Sequence, residues 1–273
     1  MKSANATLDR LIEAGARVMW IAAHPDDECF SGSILAKASL RCSNPLHMLV
    51  LTHGEGGECC AAHKKDRPLA EVRAEEMREV ARRYKASLTM ERFFNAALPV
   101  ESFPMRHELA RRWLEQGDPA DVVRIAICDF KPDVVLTFSP LFGATGHPEH
   151  QLTARFALAG IREAATTVSP DVPSHKVEHT YFVLNRYWGL RMLGMGNDPL
   201  EPSETFDVRQ PCVEGRSCVQ VMAENTRPHE TQARDMGHLR FIARFLKVAY
   251  LKEVDPFRDR FHADEYWPVR GMG

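Results

Sequence analysis

The chain has 273 residues, 44% of them hydrophobic, with 35 basic against 37 acidic side chains and a formal net charge of −2. That length and apolar content support a sizeable core and argue against a disordered chain, and the near balance of charge shows no concentrated basic face of the kind nucleic acid requires. Seven cysteines without a CxxC pair read as the reduced thiols of a cytoplasmic protein, no apolar run approaches the ~18 residues of a membrane span, and the first ten residues lack the apolar core of a signal peptide.

Residues 7–14 read as a short helix capped by Thr7 and stopped by Gly15. A buried strand is expected over 17–23. Its apolar run ends abruptly in His24-Pro25-Asp26-Asp27-Glu28, where Pro25 removes a backbone donor and turns the chain. A helix over about 31–40, a second strand over 46–52 and a polar, glycine-containing loop over 53–66 follow. Pro68 opens a helix over 69–85. Next come a strand over 88–94, helices over 105–116 and 119–130, a strand over 133–138, a helix over 151–165 and a strand over 177–184. Residues 186–216 carry Gly, Pro and Asn without periodicity and read as an irregular insertion. The tail is expected to be helical over about 217–226 and 230–252. Alternating strands and helices predict the α/β class, a Rossmann-like three-layer αβα sandwich with a mostly parallel sheet, in one domain over 1–273.

In such a sheet, ligands bind beyond the carboxyl ends of the strands. Two turns there carry chemistry: His24–Glu28 after the first strand and Gly146-His147-Pro148-Glu149-His150 after strand 133–138. Pro148 fits the first helical position, which makes His147 the N-cap and puts His150 in the first turn. His24, Asp27 and His150 can then form a three-ligand site with open positions, the mark of a catalytic metal. Two imidazoles and a carboxylate suit Zn2+ and also Fe2+, so residue type leaves the metal open. A bound cation would draw the pKa of water towards ~7. Asp26, beside a ligand, is placed to take that proton. His147 is placed to hydrogen-bond an oxyanion as an imidazolium, or to protonate a leaving amine. Alone, either turn is more often a solvated acidic loop or a plain helix start. Their shared context, each after a strand and each opening a helix, favours one common site. Vicinal Cys59-Cys60 reads as ordinary loop sequence, because no partner pair accompanies it.

The chain resembles the PIG-L/LmbE-like metal-dependent de-N-acetylases. Ala23-His24-Pro25-Asp26-Asp27-Glu28 reproduces the AHPDDE signature, and Thr52-His53-Gly54-Glu55-Gly56 is similar to TxGExG. Arg73-Ala74-Glu75-Glu76 resembles an RxxE helix, His147-Pro148-Glu149-His150 resembles HPDH, and His229-Glu230-Thr231-Gln232 resembles HxSQ. The resemblance implies a Rossmann-like fold, Zn2+ held by His24, Asp27 and His150, Asp26 as general base and His147 at the oxyanion. It implies a small-molecule N-acetylated amino-sugar substrate, with Arg73 and Glu55 as substrate-binding candidates. Thr145 stands where some relatives place an oxyanion-assisting tyrosine, and Glu149 replaces an aspartate whose expected role is to orient a ligand. Loop 53–67 is expected to shape the pocket, His63 to face solvent, and His229 and Gln232 to cap the tail helix rather than brace the pocket.

Other readings have less support. A dinucleotide-binding Rossmann protein needs G-x-G-x-x-G after the first strand, and no glycine lies between Ala23 and Ser31. A serine hydrolase needs a G-x-S-x-G elbow, which is missing. A two-metal phosphoesterase would want more ligands at the same edge. An amidase of the same family acting on a thiol conjugate or a longer N-acyl group needs only a different pocket. A non-catalytic binding protein is disfavoured by the intact Asp26. No nucleic-acid or membrane-spanning partner is expected, and a homo-oligomer is compatible with the chain.

Overall fold

The first strand, β1 (Val18–Ala22), is buried along its whole length, as a strand covered on both faces must be. The computed structural model describes residues 7–167, 173–186 and 198–259. β1 is joined by β2 (Leu46–Val50), β3 (Ser87–Met90), β4 (Val134–Phe138), β5 (His179–Leu184), β6 (Glu204–Asp207) and β7 (Val248–Val254). The sheet order is β3-β2-β1-β4-β5-β7-β6. The first five strands pair in parallel, whereas β7 runs antiparallel to both β5 and β6.

Side-chain alternation along the strands divides the core into two layers. Val18, Trp20 and Ala22 face one layer with α1 (Leu8–Glu13), α2 (Gly32–Ala36) and α3 (Leu69–Arg83). Met19 and Ile21 face the other, with α4 (Arg106–Gln116), α5 (Pro119–Phe130) and α6 (Pro148–Thr166). The expected three-layer α/β sandwich is therefore present. Thr7 caps α1 as expected, accepting the Arg10 N–H, and Gly15 turns the chain at φ +95°.

The connections β1–β2–β3 run one way along the sheet, and β4 begins on the other side of β1. That reversal opens a crevice beyond the carboxyl ends of β1 and β4, where ligands lodge in open α/β sheets. Both chemistry-bearing turns emerge there.

The tail differs from its expected helix over 230–252. A short 3-10 turn at Glu230–Gln232 leads into α8 (Ala233–Ala243), and the chain then forms β7. Val248–Val254 carries β-branched and aromatic residues, and it pairs with β5, whose outer edge would otherwise be bare. The tail's other helix, α7 (Cys218–Asn225), lies where expected and has a capping box between Ser217 and Gln220. The 186–216 insertion contains the missed strand β6, and its residues 187–197 lie outside the described residues. β3 stops at Met90, four residues before its expected end, and the freed segment with Asn95 and Ala96 runs on to the crevice. The 31–40 helix is split into α2 and a wider π turn over Lys37–Arg41.

Candidate metal centre

His147 caps α6 with its Nδ1 accepting the Glu149 N–H at 3.2 Å, and Pro148 sits at the first helical position, both as expected. The first turn of α6 thus turns Glu149 and His150 inwards, and both are buried. Gly143, at φ +62°, lets the preceding loop close on this turn, since a Cβ there would come within 2.7 Å of His150 Cβ. On the facing turn, Asp27 Oδ2 accepts the N–H groups of Ala23 (3.0 Å) and His24 (2.8 Å). Asp26 adopts a left-handed backbone, φ 96° and ψ −18°.

One nitrogen from each of His24 and His150 converges on the Asp27 carboxylate. His24 Nδ1 lies 3.2 Å from His150 Nε2 and 3.5 Å from Asp27 Oδ2, and His150 Nε2 lies 3.0 Å from Asp27 Oδ1. A tetrahedral cation with bonds of ~2.0–2.1 Å has edges of about 3.3–3.4 Å. The observed spacing is compatible with a ligand set. The outward nitrogens are anchored as ligating histidines require. His24 Nε2 meets Glu149 Oε2 at 2.5 Å, and His150 Nδ1 donates to the Gly143 carbonyl at 2.8 Å. His150 also stacks flat on Phe138, with centroids 4.2 Å apart.

A second grouping overlaps the first. One ligand atom each from His24, His147 and His150 lies within 4.8 Å of the others, and this group could bind a metal. Its spacing is looser. His147 Nδ1 is also committed to the α6 backbone, which leaves only Nε2 to face the crevice.

The electrostatics suit a cation. Burial alone would depress the His24 pKa, but Asp27 and Glu149 outweigh it and raise it to about 10. Burial works against the Asp27 carboxylate too, yet His150 and His24 hold its carboxyl well below the usual range. Burial and the charges of His24 and His150 push His147 down to about 2. This favours the neutral ring over the imidazolium expected from sequence. With Nδ1 as acceptor, its proton sits on Nε2. Burial raises Asp26 to about 6 against the pull of Arg73.

Arg73 comes to the site and lines the cleft, with the two terminal nitrogens of its guanidinium held by the protein. It donates to the Pro25 carbonyl and, at 2.8 Å, to the Gly54 carbonyl, and lies 3.0 Å from Asp26 Oδ2. This near-buried geometry makes it a clamp on Asp26, in a position that still borders the cleft where sequence suggested a sugar contact. Gly54 must be glycine for the clamp, since a Cβ there would lie 2.3 Å from Arg73 Nη1. Glu55 is exposed and does not line the crevice. His63 is exposed, as expected, and pairs with Glu230 at 3.2 Å. His229 is buried against Glu28, Nε2 to Oε1 2.9 Å, and Gln232 donates to the Glu58 carbonyl.

The centre opens into a cleft of about 660 Å3, walled by Phe30, Phe103, Leu98, Leu239 and Ile242 with Asn95 and Asn185 among the polar groups. Glu149 accepts from Asn95 Nδ2 and the Ala96 N–H, both at 2.7 Å. Sequence reasoning missed Asn95 and Asn185. Both follow strands at the carboxyl edge of the sheet, and that position was the available signal.

Residues 19–161, more than half of the chain, match the family described as GlcNAc-PI de-N-acetylase, PIG-L. No curated protein sequence matches. Among solved structures, N,N'-diacetylchitobiose deacetylase from Pyrococcus horikoshii is similar with a TM-score of 0.62 at 15% identity, over 94% of this chain and 90% of that one. The zinc-inhibited form of teicoplanin deacetylase Orf2 gives 0.55 at 16% identity, over 88% and 99%. The 4-carboxy-2-hydroxymuconate hydratase of Pseudomonas putida KT2440 gives 0.59 at 13% identity, over 88% and 97%. Such likeness concerns the fold alone, and this fold hosts both deacetylases and a hydratase.

Proposed function

This chain belongs to the PIG-L family of GlcNAc-PI de-N-acetylases, and on that premise we propose that it is a zinc-dependent hydrolase removing an N-acetyl group from an amino-sugar-containing small molecule. His24, Asp27 and His150 hold the ion. The observation that carries this reading is the convergence of their donor atoms at 3.0–3.5 Å with both outward imidazole nitrogens anchored. Asp27 is preferred to His147 as third ligand because its spacing fits a tetrahedral edge and His147 is tied to the α6 backbone. The seven cysteines are all free thiols, which fits a reducing compartment such as the cytoplasm. Among the described residues, no helix is long and apolar enough to cross a membrane.

A divalent cation in this site would polarise the amide carbonyl and acidify water. Asp26 is the general base. Its raised pKa makes it a better proton acceptor near neutral pH than an ordinary carboxylate, and Arg73 fixes its orientation. His147 donates its Nε2 proton where negative charge builds on the amide oxygen. As a neutral ring it acts as a hydrogen-bond donor, so the proton that the departing amine needs is the one Asp26 has taken up. Acetate and a free amine leave.

The test is acetate release from N-acetylglucosaminides, aminoglycoside precursors and acylated thiol conjugates by the zinc-loaded protein. Release from the first two groups, lost in Asp26→Asn, is expected. Cleavage confined to thiol conjugates would move the assignment to that substrate class, and no release from any member of the panel would reject the deacetylase.

A further inference from the structure

Behind the metal centre the cleft continues into a recess of about 70 Å3. Phe30, Asn185, Leu239 and Ile242 line both spaces, so the recess opens through the cleft. Its deeper wall is apolar, with Ile34, Val183, Met222 and Leu246. The two hydroxyls on that wall are turned to the protein, Ser31 to the Glu28 carbonyl and Ser33 to Met222 Sδ. Nothing there suits a sugar, whose hydroxyls would go unpaired.

Asn185 stands at the junction, the first residue after β5, and is 4% exposed. Its Nδ2 donates to the Ala144 carbonyl at 2.7 Å, which fixes the amide orientation. Its backbone carbonyl accepts the Asp198 N–H at 3.0 Å. The remaining atom, Oδ1, is buried and has no partner. A buried acceptor left open costs stability unless something donates to it.

We propose that Asn185 reads the N–H of the substrate's acylated nitrogen and that the recess takes the tail of the acyl chain, so that the protein favours N-acyl groups somewhat longer than acetyl. This rests on the amide-hydrolase reading and deepens it. An amide N–H is the donor common to all N-acylated amines, and the recess has room for roughly two or three methylene-sized groups. A slender aliphatic end fits such a space, and a sugar ring or an aryl aglycone does not.

The experiment uses the zinc-loaded protein and N-acetyl-, N-propanoyl-, N-butanoyl- and N-octanoylglucosamine. Binding is measured by calorimetry on Asp26→Asn, and acyl release is measured on the unsubstituted protein. Each buried methylene tightens binding about fourfold. Butanoyl is therefore expected to bind roughly fifteenfold better than acetyl, with octanoyl falling back because the recess is full. A flat or falling series overturns the proposal. Asn185→Leu is expected to weaken the amides between about twofold and tenfold and to leave the corresponding O-acyl esters, which lack the N–H, unaffected. Equal loss on amides and esters overturns the role of Asn185. Should that variant misfold, Leu246→Phe fills the recess from its far wall and is expected to abolish the chain-length preference. Retained preference in that variant overturns the assignment of the recess. Acetate release with a flat binding series rejects this proposal and keeps the deacetylase. A chain-length preference in binding without acyl release rejects the deacetylase and keeps the pocket.

Discussion

Glu149→Gln separates the metal centre from the chemistry built on it. The Glu149 carboxylate is wholly buried and accepts three donors: His24 Nε2, Asn95 Nδ2 and the Ala96 N–H. The substitution keeps shape and volume, so no cavity confounds the result. It replaces one acceptor oxygen by an NH2 group. Whichever way the amide turns, a donor then faces a donor in a buried site, costing about 1–3 kcal/mol of stability. His24 also loses the negative charge that orients its ring and raises its basicity. Loss of such an outer partner costs 10–100-fold in metal affinity, about 1.4–2.7 kcal/mol. Zinc affinity measured against a chromogenic chelator, with thermal melting of the apo form, reads the two effects separately. Zinc affinity within threefold of the unsubstituted protein, together with an unchanged melting temperature, would refute the role of Glu149 and the ligand role of His24 with it.

Asp26→Asn should retain stoichiometric zinc and lose nearly all turnover; activity equal to the parent would remove Asp26 from the mechanism. His147→Ala should keep its metal and lower kcat, whereas a change confined to KM would make it a binding residue, and loss of zinc would make it a ligand. His24→Ala and His150→Ala should each lose the metal by elemental analysis. His47, on β2 far from the centre, supplies a pH test. Burial lowers its pKa to about 4, so between pH 6.5 and 4 the unfolded chain binds a proton that the folded one refuses. Stability is full above pH 6.5 and falls on acidification, by about 2 kcal/mol between pH 7 and pH 5. Denaturant melts at the two pH values should show the loss, and His47→Gln should remove that part of it; an identical pH slope in the variant would contradict the assignment.

His24, Asp27 and His150 were legible in the sequence because each lies in a short turn whose form is locally determined. A strand ends, a proline fixes the backbone, and the next few side chains point into the crevice. His147 was legible for the same reason, since Pro148 at the first helical position makes its predecessor the cap. Its protonation was not legible, because it depends on His24, which is 123 residues away in the chain. Arg73 shows the limit of motif reading. Its spacing places it beside the site, but only the fold shows Nη1 and Nη2 held by Gly54, Pro25 and Asp26. Asn95 and Asn185 carry no motif, and their roles arise from contacts with Glu149 and Ala144 across long stretches of chain. The parallel core was legible from apolar strands buried on both faces. β7 was missed because Val248–Val254 follows a helix without a strong break, and its pairing with β5 is a tertiary effect.

X-ray absorption at the zinc edge of the loaded protein tests the central claim most directly. Two imidazoles and one carboxylate, all light-atom ligands at ~2.0–2.2 Å, is the predicted result. A third imidazole, which would put His147 in place of Asp27, or a sulfur ligand at ~2.3 Å, would contradict it.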